Sequence, residues 1–365
     1  MRLVSGDRMF FMLVLSLVLA GFAIFSSASL GLLARESSSV SKDILLQAGL
    51  GFGLGFLALL FTRALPLARL KRYVPYIYAA SLILTALVFV PGIGFHANGA
   101  TRWINLGFTT VQPAEFLKIG CILMLAWWLA PRSRQLDNPK KGMFPFLALL
   151  VAPSGLLLLQ PNTSTMMLII ATGGVMYFAA GAPWRDFGIL IIGALLALAV
   201  VAYARPYVLH RIETFINPAA NSLGSGYQIQ QSLIAVGSGG LLGKGLGQSV
   251  EKFNYLPEPD GDSVFAVFAE EAGFIGALIL VALFLGLAAR GIVIAGDATD
   301  LFGGLITLGF SFTIVIQAFT NIGAMLGIIP LTGQPLPFIS HGGTALLATL
   351  IMCGFILNVA KHRKS

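Results

Sequence analysis

Ten apolar runs, most of them long enough to cross a bilayer core of roughly 30 Å, leave this chain little alternative to a helical membrane bundle. Hydropathy places them at about 9–31, 44–62, 73–94, 112–130, 143–159, 163–180, 187–204, 263–289, 301–328 and 343–360. With 57% hydrophobic and only 10% charged residues, the 365-residue chain does not read as a soluble globule. The expected fold is an all-α polytopic membrane protein of about ten transmembrane helices, a single domain over 1–365. Its large extracytoplasmic loop, at about 205–262, separates helices 7 and 8.

A net charge of +8 could suggest nucleic acid, but the basic residues sit in short clusters between apolar runs. Fifteen of the 23 Lys and Arg residues fall in the inner segments: Arg2, Arg8, Arg63, Arg69, Lys71, Arg72, Arg132, Arg134, Lys140, Lys141, Arg185, Arg290, Lys361, Arg363 and Lys364. Seven fall outside: Arg35, Lys42, Arg102, Arg205, Arg211, Lys244 and Lys252. The asymmetry predicts that both termini are cytoplasmic. Arg2 and Arg8 ahead of an apolar run and Ser26–Ser29 imitate a signal peptide, yet a run of about 22 residues suits a retained anchor.

Cys121 and Cys353 both lie in apolar spans and read as packing residues, with neither disulfide nor metal spacing. Gly49, Gly51, Gly53 and Gly55 predict close helix packing in the second span. The Gly-rich segment 237–247 fails as a Walker loop, because Ser238 stands where the first Gly belongs and Gly245 where Ser or Thr should follow Lys244. It is either a flexible backbone that approaches phosphate beside Lys244 or a plain surface turn.

Three constellations could carry chemistry. Glu258, Asp260 and Asp262 lie among Pro257, Pro259 and Gly261, just before the eighth span. A carboxylate at such a boundary can take a proton from a hydroxyl; the alternative is a solvated acidic loop with Asp262 as helix cap. Glu115 and Lys118, three residues apart, share one face of the fourth span. They line a watery cavity or staple two helices, and Arg102 and Trp103 add a cation on the same side. The third is the stretch Gln334–Thr344, whose Pro335, Pro337, Gly342 and Gly343 break the helical entry to the last span, with His341 as a titratable or structural donor. Glu270 and Glu271, about two turns into the eighth span, predict that at least one is paired or faces a cavity.

The motifs around these residues resemble those of the SEDS family (shape, elongation, division and sporulation). They are Gln112-Pro-Ala-Glu-Phe-Leu-Lys118, Gly226-Tyr-Gln-Ile-Gln-Gln-Ser232, Gly237-Ser-Gly-Gly-Leu-Leu-Gly-Lys-Gly245, Tyr255-Leu-Pro-Glu258 with Asp262-Ser-Val-Phe-Ala266, and Pro335-Leu-Pro-Phe-Ile-Ser-His-Gly-Gly343. Order and spacing match along nearly the whole chain. The resemblance implies a peptidoglycan glycosyltransferase of the bacterial cytoplasmic membrane that polymerises lipid II for cell elongation and shape. It implies Asp262 as the catalytic carboxylate, with Glu258, Glu115, Lys118 and Arg102 in the substrate cavity; His341 and Lys244 join them as candidates. A divalent cation, Mg or Mn, could assist, and no dedicated metal ligand is assigned. The partners implied are a class B penicillin-binding protein, lipid II and membrane lipids, with no nucleic acid. Asp260-Gly261 stands where members commonly carry His-Thr, His341 where Tyr is frequent, and Gln160-Pro-Asn162 where Gln-Pro-Asp is usual. Transport of lipid II by a flippase is the rival reading, since intramembrane charges and broken helices also suit a transporter.

Overall fold

The computed structural model describes residues 7–34, 47–97, 100–107, 109–204, 206–218 and 224–362. Arg2, Arg35, Lys42, Arg205, Arg363 and Lys364 of the charge count therefore lie outside the described residues. Apolar helices stand at all ten expected places. They are α1 Arg8–Ala34, α2 Gly55–Ala64 with a π-helical lead-in over Gln47–Leu54, α3 Leu67–Ala86, α4 Pro113–Leu129, α5 Met143–Leu159, α6 Thr163–Ala179 and α7 Trp184–Ala204; then α10 Val264–Gly296, α11 Leu301–Met325 and α12 Gly343–Lys361. Seven have the length and apolarity to cross a membrane; α2, α5 and α6 are shorter.

Among its described residues the loop between α7 and α10 holds two helices, α8 Pro206–Ile216 and α9 Ser225–Ser238. A small sheet is the one departure from the all-helical expectation among the described residues. Strands β1 Gly94–Ala97, β2 Ala100–Asn105 and β3 Thr110–Val111 pair antiparallel in the order β1-β2-β3. Their sequence, interrupted by Gly and Asn, carries no long alternating pattern, so only the tertiary setting makes them visible. The sheet, the 225–262 region and the 332–343 segment occupy one end of the bundle. At the other end Arg290 grips Asp7 and Lys71 reaches Asp300 at 2.5 Å.

Local sequence sets the helix boundaries. Pro113 opens α4 at a position whose N–H needs no helical partner. The Asn162 side chain caps α6 through Thr165 N–H, and Asp300 caps α11 through Gly303 N–H. Within the bundle α4, α11 and α12 are buried on most of their faces, while α7 is almost wholly exposed. Cys121 and Cys353 are buried free thiols, as expected of packing residues. In the second-span glycine series, Gly55 is tightly packed: an added Cβ would meet Leu350 Cδ1 of α12 at 2.6 Å, whereas Gly49 has open space.

The Gly-rich segment turns out to splice a broken helix. Gly273, with φ 66°, interrupts α10, and such a break strands backbone groups that lipid cannot satisfy. Loop 239–247 supplies the partners. Lys244 N–H and Gly245 N–H donate to the carbonyls of Glu270 and Glu271 at 3.0 Å, and the carbonyls of Gly240 and Leu241 accept from Phe274 N–H and Ile275 N–H. These groups are consumed inside the protein, so the phosphate-cradle reading of this loop gives way to a structural one. A Cβ at Gly273 would stand 2.3 Å from Gly243 N, at a φ that side chains rarely adopt. Gly273→Ala should therefore cost on the order of 2 kcal/mol or more, read as a lower unfolding midpoint in detergent.

Candidate active site

Asp262 sits two residues before α10 begins, and the chain leading to it is held from three sides. Glu258 takes a positive φ of 45°, and its carbonyl accepts from Gly261 N–H and Ser263 N–H at 3.1 and 3.2 Å. Three successive carbonyls are then gripped by the helical end of the bundle: Asp260 by His341 N–H at 2.7 Å, Gly261 by Ser340 Oγ at 2.7 Å, and Asp262 by Asn321 Nδ2 at 2.8 Å. Asn321 also donates to the Gln334 carbonyl at 2.8 Å. The broken stretch 334–342 thus works as a clamp on the backbone of the acidic turn. Ser263, rather than Asp262, occupies the cap position of α10, and the Asp262 carboxylate lines a cleft instead.

That cleft, of about 120 Å³, is lined by Arg211, Ser225, Gln228, Asp262, Asn321 and the 331–333 backbone. Asp262 is half-buried in its wall. Burial first, then the negative charge of Glu258, pushes its pKa up to about 6, against the pull of Arg211 and Arg102. Glu258 itself is exposed. Asp260, the competing acid, is buried and within 3.5 Å of His341 Nδ1, so it serves the clamp.

Arg102, on β2, donates to the carbonyls of Gln160, at 3.2 Å, and Pro161. Burial lowers its pKa, with Arg211 pushing the same way and Asp262 opposing. The guanidiniums of Arg102 and Arg211 and the Asp262 carboxylate therefore feel one another's charge. Sequence reasoning counts Arg211 only as one outer charge among seven. A signal for it exists: Tyr207, Arg211 and Thr214 fall at i, i+4 and i+7 on a short amphipathic helix. Gln228 lies inside the Gly226–Ser232 motif, which has no role attached to it, and Asn321 is missed because a single amide in a helix carries no motif of its own.

The other candidates lie elsewhere. Glu115 and Lys118 do pair, at 2.9 Å, in a fully enclosed position; Lys118 Nζ also donates to Gln317 Oε1 at 2.7 Å, tying α4 to α11. Gln317 in turn donates to the Pro335 carbonyl at 2.9 Å, so the pair supports the clamp from below without lining the cleft. Lys244 is committed to Glu270 at 2.6 Å, and Lys252 to Glu271 at 2.5 Å. Both acids of the eighth span are thus paired. Ser249 and Ser27 complete the cluster, joining α1, the outer loop and α10. Among the described residues no group of three or more His, Cys, Asp and Glu side chains is placed to hold a metal ion.

Comparison with known proteins agrees over the whole chain. The model of the FtsW/RodA/SpoVE family of cell cycle proteins matches residues 7–365. Stage V sporulation protein E of Bacillus subtilis is 38% identical over 86% of this chain and 85% of its own length. A probable peptidoglycan glycosyltransferase FtsW of Coxiella burnetii is 37% identical over 98% of this chain and 96% of its own. Among solved structures, one chain from work on the structural coordination of polymerization and crosslinking by a peptidoglycan synthase complex superposes with a TM-score of 0.81. It is 30% identical, covering 99% of both chains. The rod shape determining protein RodA of Thermus thermophilus superposes with a TM-score of 0.71 at 29% identity, covering all of both chains.

Proposed function

This chain belongs to the SEDS family of FtsW, RodA and SpoVE proteins, and from that premise we propose that it is a peptidoglycan glycosyltransferase polymerising lipid II. The observation that carries the reading is the single half-buried carboxylate of Asp262, its pKa raised to about 6, in a polar cleft that it shares with Arg211, with Arg102 near enough for its charge to be felt. A general base works best when its pKa lies near the operating pH. Asp262 takes the proton from the 4-hydroxyl of the acceptor's N-acetylglucosamine. That oxygen attacks the anomeric carbon of the donor's N-acetylmuramic acid with inversion, and undecaprenyl pyrophosphate departs. No strong general acid is required, because pyrophosphate leaves readily once its charge is stabilised; Arg102, whose charge Asp262 feels, is the proposed stabiliser.

The orientation follows from the charge asymmetry: the end bearing the sheet and Asp262 faces outward from the cytoplasmic membrane, and both termini face the cytoplasm. A class B penicillin-binding protein is the proposed partner, supported by the likeness to a chain of a synthase complex that couples polymerization to crosslinking. The role in elongation and shape rests on likeness to the rod shape determining protein, beside relatives named for sporulation and as probable peptidoglycan glycosyltransferases. Depletion of the protein should make cells round up; filaments would assign it to division.

The test incubates purified protein, with and without its partner, with labelled lipid II. Wild type should yield glycan strands and Asp262→Ala none. Absence of strands under every condition, together with movement of labelled lipid II across vesicle membranes, would replace polymerisation by transport.

A further inference from the structure

Away from the acidic cleft, a groove of about 330 Å³ runs between α1, α2 and the flank of α12, lined by apolar side chains alone. Leu15, Phe22 and Phe56 stand exposed along it, and Leu59 and Leu350 form its buried floor. Left empty, a hollow of that size would forfeit van der Waals contacts on every wall, so a hydrocarbon chain is its natural occupant.

Depth decides which lipid supplies the chain. Helix α1 begins at Arg8 and α2 ends at Ala64, so in the orientation proposed above both reach the cytoplasmic surface at these ends. From Phe11 to Phe22 the groove climbs roughly 17 Å, about one leaflet of a hydrocarbon core of roughly 30 Å. At its far end Phe22 and Phe52 meet edge to face, ring centroids 5.3 Å apart and planes at 84°, which closes the groove near the bilayer midplane. A lipid of the outer leaflet meets this aromatic stop first. One in the cytoplasmic leaflet slides its chain in unopposed.

The cytoplasmic mouth carries charge of one sign. Arg8, Phe11 and Leu15 fall at i, i+3 and i+7 along α1, and Phe56, Leu59 and Arg63 repeat that spacing along α2. Each groove-facing stripe thus ends in an arginine, Arg8 exposed and Arg63 half-buried. Asp7, the acid next to Arg8 in sequence, is spent on Arg290 and on Phe10 N–H. Guanidiniums at headgroup depth favour a lipid with an anionic head.

We propose that this groove is a binding site for an anionic phospholipid of the cytoplasmic leaflet, with one acyl chain between α1 and α2 and the phosphate at Arg8 and Arg63. The proposal goes beyond the polymerase reading and does not depend on it. Its bearing on the active site is mechanical. Gly21, beside Phe22, packs so close to the clamp that an added Cβ would stand 2.2 Å from the Phe338 carbonyl oxygen. A chain in the groove therefore backs the helix against which the clamp rests.

Photolabelling reads the site directly. Full-length protein in detergent is irradiated with phosphatidylglycerol that carries a diazirine midway along one acyl chain, and the labelled peptides are mapped by mass spectrometry. Label should concentrate on residues 11–22 and 52–59, ahead of α7, which is the most exposed of the long spans. Unlabelled phosphatidylglycerol should displace it at concentrations about tenfold lower than phosphatidylcholine with the same chains. Arg8→Gln combined with Arg63→Gln should erase that preference while the groove is still labelled. Arg8→Gln alone, a change at an exposed position, should cut it about threefold. Labelling that follows exposure, with α7 foremost, would overturn the proposal, as would equal displacement by the two lipids or a preference untouched by Arg8→Gln.

Discussion

Asp262→Asn is expected to abolish strand synthesis, by roughly 10² to 10⁴-fold or more, in a protein that unfolds no earlier than wild type. Removing a general base accounts for the first half. The second half follows from the direction of its pKa shift. Folding raises the Asp262 pKa from 3.8 to about 6, so the folded state binds its proton more tightly than the unfolded chain does. As pH rises from about 4 to 6 the unfolded chain ionises first, and the ionised group then costs the fold up to about 3 kcal/mol at neutral pH. Asn carries no such cost, and the backbone clamp at residues 260–262 does not involve the side chain that changes.

Two measurements check this together. The unfolding midpoint of Asp262→Asn at pH 8 should equal or exceed that of wild type, and the gap should narrow toward pH 4. Wild-type kcat/KM should fall as pH drops through about 6 and level off above it, because only the ionised carboxylate takes a proton. A destabilised variant, or a rate insensitive to pH between about 5 and 7, would mean that Asp262 is a structural residue and that the base lies elsewhere.

The balance between sequence and structure differs from one element to the next. Spans are legible because lipid forces every backbone group in them to be satisfied within a helix, which makes apolar length nearly sufficient evidence. The 94–111 sheet is not legible, since short strands at a membrane surface have no such compulsion. Lys244 shows a subtler limit. Its position beside glycines suggests phosphate, but those glycines are needed so that backbone can reach the break at Gly273, and the lysine serves Glu270. The acidic turn is visible because Glu258, Asp260 and Asp262 are neighbours in sequence, while the preference for Asp262 over Asp260 comes from the family resemblance. Arg211, Gln228 and Asn321 reach the same cleft from three separate helices, a convergence that only the fold creates.

Lys118→Met should destabilise the fold more than Gly273→Ala or any change at Asp262, because it strands a carboxylate rather than removing a bond. Glu115 and Lys118 are both essentially inaccessible to solvent, and the ammonium at 2.9 Å from Glu115 Oε2 also satisfies Gln317 Oε1. Desolvation of each ion in such a site is offset chiefly by the other, so removing one partner costs about 3–5 kcal/mol. Replacing both, as Glu115→Gln with Lys118→Met, should recover most of that loss, since no uncompensated charge is left behind. A double-mutant cycle on unfolding midpoints in detergent measures the coupling, expected to exceed about 2 kcal/mol. Equal midpoints for Lys118→Met and wild type would show that water reaches the pair. Glycan synthesis by the same double variant then separates two roles. Activity retained makes the pair a staple beneath the clamp that carries Asp262; activity lost in a stable protein makes the charges themselves part of the reaction's electrostatics.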